Sequence, residues 1–213
     1  MFSRLFNVVS LVSKTLLILV IFQVSSVTAK EPVILVVGDS ISAAFGMSMQ
    51  EGWVSLMEKR LQQQVPQLTV INASISGDTT QGGLTRLPAL LKQHQPTLTI
   101  IELGGNDGLR GTPIINMKSN LQKMIVMAKE ANSEVLLLGM QIPPNYGPRY
   151  TELFRNTYTD LAQKHKVALV PFLLEGVAEH SELMQADGIH PTAKAQPIML
   201  ELVLPFMDLF IDL

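Results

Sequence analysis

The 213-residue chain contains no cysteine. That excludes disulfides, an acylated-cysteine lipoprotein anchor and every thiol-based mechanism, and leaves packing alone to hold the fold. Charge is sparse and mixed, with 16 Lys and Arg against 18 Asp and Glu. No basic run stands out, so a nucleic-acid partner has no electrostatic support. No His/Cys cluster has metal-ligand spacing, so no metal site is expected. Repeats, low-complexity stretches and linkers are missing too, which points to one domain.

A long apolar span is also lacking. The uncharged stretch Thr15 to Ala29 covers 15 residues, short of the ~18–20 that a bilayer-spanning helix needs. Arg4 and Lys14 precede it, Leu16 to Phe22 form its apolar centre, and Val27 and Ala29 are small residues placed for cleavage. This order of charge, apolar run and small residues predicts a signal peptide over 1–29 and a periplasmic or secreted protein with no stable membrane anchor. The alternative is an uncleaved anchor extending back past Lys14. Removal of 1–29 leaves 184 residues, with 14 basic against 18 acidic side chains and a net charge of −4. That length suits one domain, 30–213, with a sizeable core.

From Glu31 onward, strand-like runs alternate with helix-like ones. Strands are expected at Val33–Val37, Thr69–Asn72, Leu98–Leu103, Val135–Gly139 and Ala168–Val170, and helices at Trp53–Gln64, Thr80–His94, Pro113–Ala131 and Tyr150–His165. Such alternation implies a parallel sheet covered by helices on both faces. Leu121, Met124, Ile125 and Ala128 fall on one helical stripe and read as core. The apolar tail from Ala193 reads as a closing helix that breaks near Pro205. His94, His165 and His180 stand in polar contexts and read as surface.

The chemistry sits in short blocks at strand ends. Gly38-Asp39-Ser40 directly follows the first strand, and Asp187-Gly188-Ile189-His190-Pro191 lies near the other end of the chain. A serine hydroxyl needs a base within reach, and an imidazole needs a carboxylate to fix its tautomer. Ser40, His190 and Asp187 supply those three roles. Charge developing on a carbonyl oxygen needs waiting donors. Gly77, in Asn72-Ala73-Ser74-Ile75-Ser76-Gly77-Asp78-Thr79, can bring its N–H close because it lacks a Cβ. Asn106, in Leu103-Gly104-Gly105-Asn106-Asp107-Gly108, offers a side-chain amide. No Gly-x-Ser-x-Gly surrounds Ser40, which argues against the nucleophile elbow of α/β-hydrolases.

These four blocks, in this order, resemble the SGNH or GDSL-type family of esterases and lipases. The resemblance implies a three-layer α/β/α sandwich on a flavodoxin-like, five-stranded parallel sheet. It makes Ser40 the nucleophile, His190 the base and then acid, and Asp187 its orienter. The N–H groups of Ser40 and Gly77 and the Asn106 amide would form the oxyanion hole. Longer runs, from Arg86 to Pro96, from Glu102 to Gly111, from Pro144 to Gly147 and from Gln185 to Pro191, are similar to a branch of Gram-negative thioesterases, lysophospholipases and arylesterases. That branch implies cofactor-free hydrolysis of acyl thioesters, aryl esters and lysophospholipids, by a chain expected to be a monomer. Gly108 to Pro113 matches a loop that moves on acyl binding in that branch, although Thr112-Pro113 replaces its more common aromatic-containing ending. Leu109, Ile142, Pro144, Tyr146 and Ile189 flank the blocks and are expected to line an acyl groove, with ordinary loop packing as the alternative. The competing functions are a carbohydrate O-acetyl esterase of the same superfamily and an inactive lipid- or peptide-binding protein.

Overall fold

The computed structural model describes residues 31–210, so the expected signal segment and the last three residues lie outside the described residues. The strand-forming runs become β1 (Val33–Gly38), β2 (Thr69–Asn72), β3 (Leu98–Glu102), β4 (Glu134–Leu138) and β5 (Ala168–Val170). They pair in the order β2-β1-β3-β4-β5, every pair parallel. The central strands β1 and β3 are buried almost throughout, as expected of strands covered on both faces.

The helices are α1 (Trp53–Gln62), α2 (Thr80–His94), α3 (Gly105–Leu109), α4 (Ile114–Glu130), α5 (Pro148–His165) and α6 (Gln196–Met207). The β1–β2 crossover travels one way along the sheet and the later crossovers travel the other. Right-handed connections therefore place α1 on one face and α2, α4 and α5 on the opposite one. The packing agrees: α2, α4 and α5 lie side by side, and α6 returns to pack on α1. The three-layer sandwich is thus present. Leu121, Met124, Ile125 and Ala128 all lie in its core. Across the α1/α6 contact, the fully buried Gln196 accepts the Trp53 N–H at 3.0 Å, satisfying one of the donors that a helix start leaves open.

Several boundaries differ from the sequence reading. Helix α5 begins at Pro148, two residues earlier than expected, because proline suits the first helical turn. The five-residue α3, expected only as a glycine-rich turn, is helical. Helix α6 runs through Pro205 to Met207 rather than breaking there. The carbonyl four residues back belongs to Glu201, which is exposed, so water can satisfy what the proline ring leaves unbonded. His165 is not plain surface either: its Nε2 is buried without a partner.

Strand order reverses at β1, and the crevice beside it, at the carboxyl ends of β1 and β3, is where open α/β sheets bind ligands. Gly38, the last residue of β1, sits in register with Glu102, the last of β3. The blocks around Ser40 and Asn106 therefore leave the sheet side by side.

Candidate active site

The turn carrying Ser40 is built around a buried carboxyl. Glu102 Oε2 accepts the Asp39 N–H at 3.2 Å and the Ser42 hydroxyl at 2.8 Å. A Cβ on Gly38 would lie 2.7 Å from that oxygen and 2.8 Å from Ser42 Cβ, so glycine is required there by space. Burial, reinforced by the neighbouring Asp39 charge, raises the Glu102 carboxyl well above its ordinary range.

His190 reaches the same point from 150 residues away. Its loop is closed by Gln185 N–H to His190 O at 2.7 Å and Thr192 N–H to Leu183 O at 2.7 Å. Ser40 Oγ lies 2.9 Å from His190 Nε2, and Asp187 Oδ2 lies 2.6 Å from Nδ1. Asp187 Oδ1 also accepts the N–H groups of Ile189 and His190, at 2.9 and 3.0 Å. These bonds, the one from the His190 ring foremost, hold the Asp187 carboxyl down at about 2. A permanently ionised Asp187 accepts from Nδ1–H, leaving the lone pair of Nε2 to face the serine hydroxyl. Phe45 covers the imidazole, ring centroids 4.4 Å apart, and is itself 45% exposed.

The two glycine-rich loops converge beside Ser40. The Gly77 turn is closed by Asp78 N–H to Ile75 O at 3.0 Å, and Ile75 N–H reaches Gly38 O at 3.0 Å. Gly77 occupies the third turn position with φ 79°, where a type II turn favours glycine. A Cβ there would meet only Arg110 Nη2, at 3.7 Å. The positive φ of this turn position is by itself enough to select glycine at 77.

Asn106 donates from Nδ2 to Asp39 Oδ2 at 3.0 Å. This fixes the amide and leaves its second N–H for another acceptor. Asp39 Oδ1 in turn accepts the Ile41 N–H at 3.0 Å, and burial pushes the Asp39 carboxyl up to about 6. Buried Asp107 staples the Asn106 loop to the start of α2 by accepting the Thr80 N–H at 2.8 Å and hydroxyl at 2.7 Å. Asp39, Asp107, Glu102 and Phe45 were not assigned roles from sequence. Their adjacency to the Gly-Asp-Ser and Gly-Gly-Asn-Asp blocks was the one available signal.

The residues expected along an acyl groove divide into two places. Ile142 and Pro144 line a cavity of about 330 Å³ together with Gln141, Pro148, Thr151, Glu152 and Arg155. Tyr146 touches the next loop, its hydroxyl donating to Leu109 O at 3.0 Å. Ile189 is exposed beside His190, apart from the residues lining that cavity.

A chain of three groups joined serine to carboxylate, next to two convergent donor loops, is the layout of an acyl-transfer site. Residues 36–197 match the family model described as GDSL-like lipase/acylhydrolase. The chain is 56% identical over 172 residues to esterase TesA of Pseudomonas aeruginosa, covering 81% of this chain and 86% of that protein. It is 46% identical over 168 residues to thioesterase 1/protease 1/lysophospholipase L1 of Escherichia coli strain K12, 79% of each chain. The crystal structure of the psychrotrophic esterase EstA from Pseudoalteromonas sp., inhibited by monoethylphosphonate, superposes with a TM-score of 0.80 at 40% identity, over 86% of this chain and all of that one. The chain belongs to the GDSL-like lipase/acylhydrolase family.

Proposed function

We propose that the protein is a serine esterase and thioesterase that cleaves acyl thioesters, aryl esters and lysophospholipids through an acyl-serine intermediate. The observation that carries this reading is the unbroken chain from Ser40 through His190 to Asp187, with links of 2.9 and 2.6 Å. Ser40 attacks the acyl carbonyl while His190 Nε2 takes its proton. The N–H groups of Ser40 and Gly77 and the free N–H of Asn106 hold the oxyanion. His190 returns the proton to the leaving thiol or alcohol, and water activated by the same imidazole releases the fatty acid. The relatives' names, esterase, thioesterase and lysophospholipase, support medium or long acyl groups over acetylated carbohydrates and an enzyme over a binding protein. Leu109, Ile142, Pro144 and Tyr146 supply apolar surface for the acyl chain, and Ile189 for groups beside the imidazole.

The test is hydrolysis of p-nitrophenyl esters from acetate to palmitate by wild type and Ser40→Ala. Activity rising beyond acetate and lost in the variant is expected. Activity confined to acetate would favour the deacetylase, and none at all would favour a binder. We also propose export as a monomer after removal of residues 1–29, on the strength of the charge-apolar-small pattern of that segment. N-terminal sequencing of protein from the periplasmic fraction should begin at Lys30.

A further inference from the structure

Arg86 lies in the first half of α2, nine residues after Gly77, and its guanidinium is turned under the active-site loops. Each of its three nitrogens meets a different acceptor. Nε donates to Asp78 Oδ2 at 2.8 Å, Nη1 donates to Ala73 O, and Nη2 donates to Gly38 O at 3.3 Å. Ala73 follows the end of β2, and Asp78 follows Gly77. Gly38 ends β1 two residues before Ser40. The ion pair is largely shielded, with side chains 20% and 11% exposed. Asp78 Oδ1 is engaged as well, accepting the Thr79 N–H at 2.9 Å.

We infer that Arg86 is a positioning residue that sets the distance between the Gly77 and Ser40 N–H groups, the two backbone halves of the oxyanion hole. This inference rests on the reading of the site as an oxyanion-stabilising hydrolase centre. The segment bearing Gly77 meets the nucleophile strand through two backbone hydrogen bonds, Ala73 N–H to Val36 O at 2.9 Å and Ile75 N–H to Gly38 O at 3.0 Å, and Arg110 donates to Gly77 O at 2.9 Å. Both backbone bonds to the strand lie before Gly77, on the Ala73 side of the turn. Arg86 joins Gly38 O to both flanks of the turn, at Ala73 and at Asp78 beyond Gly77. A planar guanidinium with donors fixed on three separate nitrogens can do this, whereas the three donors of an ammonium radiate from one nitrogen on a flexible stem and cannot span acceptors spaced this way. Arg86 touches neither Ser40 nor His190 by any hydrogen bond. Its removal therefore affects the developing oxyanion more than bound ester.

The experiment compares Arg86→Ala and Arg86→Lys with wild type and Ser40→Ala on p-nitrophenyl butyrate, with butylboronic acid as the tetrahedral probe. Displacing a donor by about 1 Å costs up to ~100-fold, so kcat should fall by ~10–100-fold in both variants with KM within about threefold of wild type. Affinity for the boronic acid should fall in step with kcat. Millimolar methylguanidinium should restore turnover to Arg86→Ala and not to Arg86→Lys. Turnover in both variants within about threefold of wild type overturns the inference. So does a lower kcat with undiminished boronic acid affinity, since that is the mark of general loosening. Where Arg86→Ala does not fold, Arg86→Lys is judged by kcat, KM and boronic acid affinity alone. An inactive wild type, or an active Ser40→Ala, would instead overturn the hydrolase reading.

Discussion

Asp187 shows how much one side chain can be asked to do. It is 40% exposed, so its value lies in geometry rather than in a buried charge, since exposed ion pairs contribute little stability. Both its oxygens are committed, one to the His190 ring and one to two backbone N–H groups. In Asp187→Asn the amide oxygen can keep the backbone pair, but the amide nitrogen then faces Nδ1 and favours the tautomer with a proton on Nε2. That proton points at Ser40 and removes the base. Turnover of p-nitrophenyl butyrate should drop by ~10³–10⁴-fold with little change in melting temperature. Loss of less than tenfold would mean that another group orients His190. The low Asp187 pKa, about 2, has a defined sign: whatever stability this carboxylate contributes is present above its ordinary value of 3.8 and is lost as pH falls toward 2. Across the neutral range its charge is constant, so the acid limb of activity belongs to other groups.

At the scale of elements, the sheet and the two ends of the Ser–His–Asp chain were legible in sequence because each is encoded by contiguous residues. β-branched runs mark β1 and β3, and Gly-Asp-Ser and Asp-x-x-His need only their own neighbours to be recognised. What holds the loops together was not legible, because it is made by side chains distant in sequence. Arg86 occupies a polar position on an amphipathic helix, and nothing local says that it bonds across 48 residues to Gly38. The Asp107–Thr80 staple spans 27 residues. The segment after α3 belongs to the same class. Tyr146 and Tyr150 donate their hydroxyls to Leu109 O and Thr112 O, both at 3.0 Å, while Arg110 reaches Gly77 O at 2.9 Å. The loop expected to move is thus pinned along both sides. At about 1 kcal/mol per hydrogen bond, removing both tyrosine hydroxyls should raise the open population of this loop by ~30-fold. In the Tyr146→Phe/Tyr150→Phe double variant, amide exchange across residues 109–113 should accelerate by about that factor while the strands stay protected. Unchanged exchange would mean that Arg110 and the Asp107 staple alone set the loop's position.

For the molecule as a whole, the site imposes a cost that depends on pH. Two acids, Asp39 and Glu102, sit in the carboxyl-end crevice with almost no exposure. Ser42, Asn106, His190, Asp78 and Tyr158 all bear on them, and burial outweighs each of these groups. Both carboxyls are therefore raised by burial, Asp39 to about 6 and Glu102 well above the ordinary carboxylate range. The native state holds protons that the unfolded chain has already released, so stability is greatest below pH 4 for these two groups and declines as pH rises through 6 and beyond. Glu102→Gln isolates that contribution. The amide oxygen can still accept from the Asp39 N–H and Ser42, preserving the turn that carries Ser40, while the titrating proton is gone. The new amide nitrogen takes the place of Oε1, which has no partner, so the variant carries a constant penalty at every pH. The informative quantity is therefore the slope. The melting temperature of Glu102→Gln minus that of wild type should climb between pH 4 and 8, by ~3–5 °C for each unit by which native Glu102 is raised. A difference that stays flat would show that Glu102 does not titrate with folding. The loss of stability toward neutral pH would then fall to Asp39, the carboxylate that holds the Asn106 amide in place.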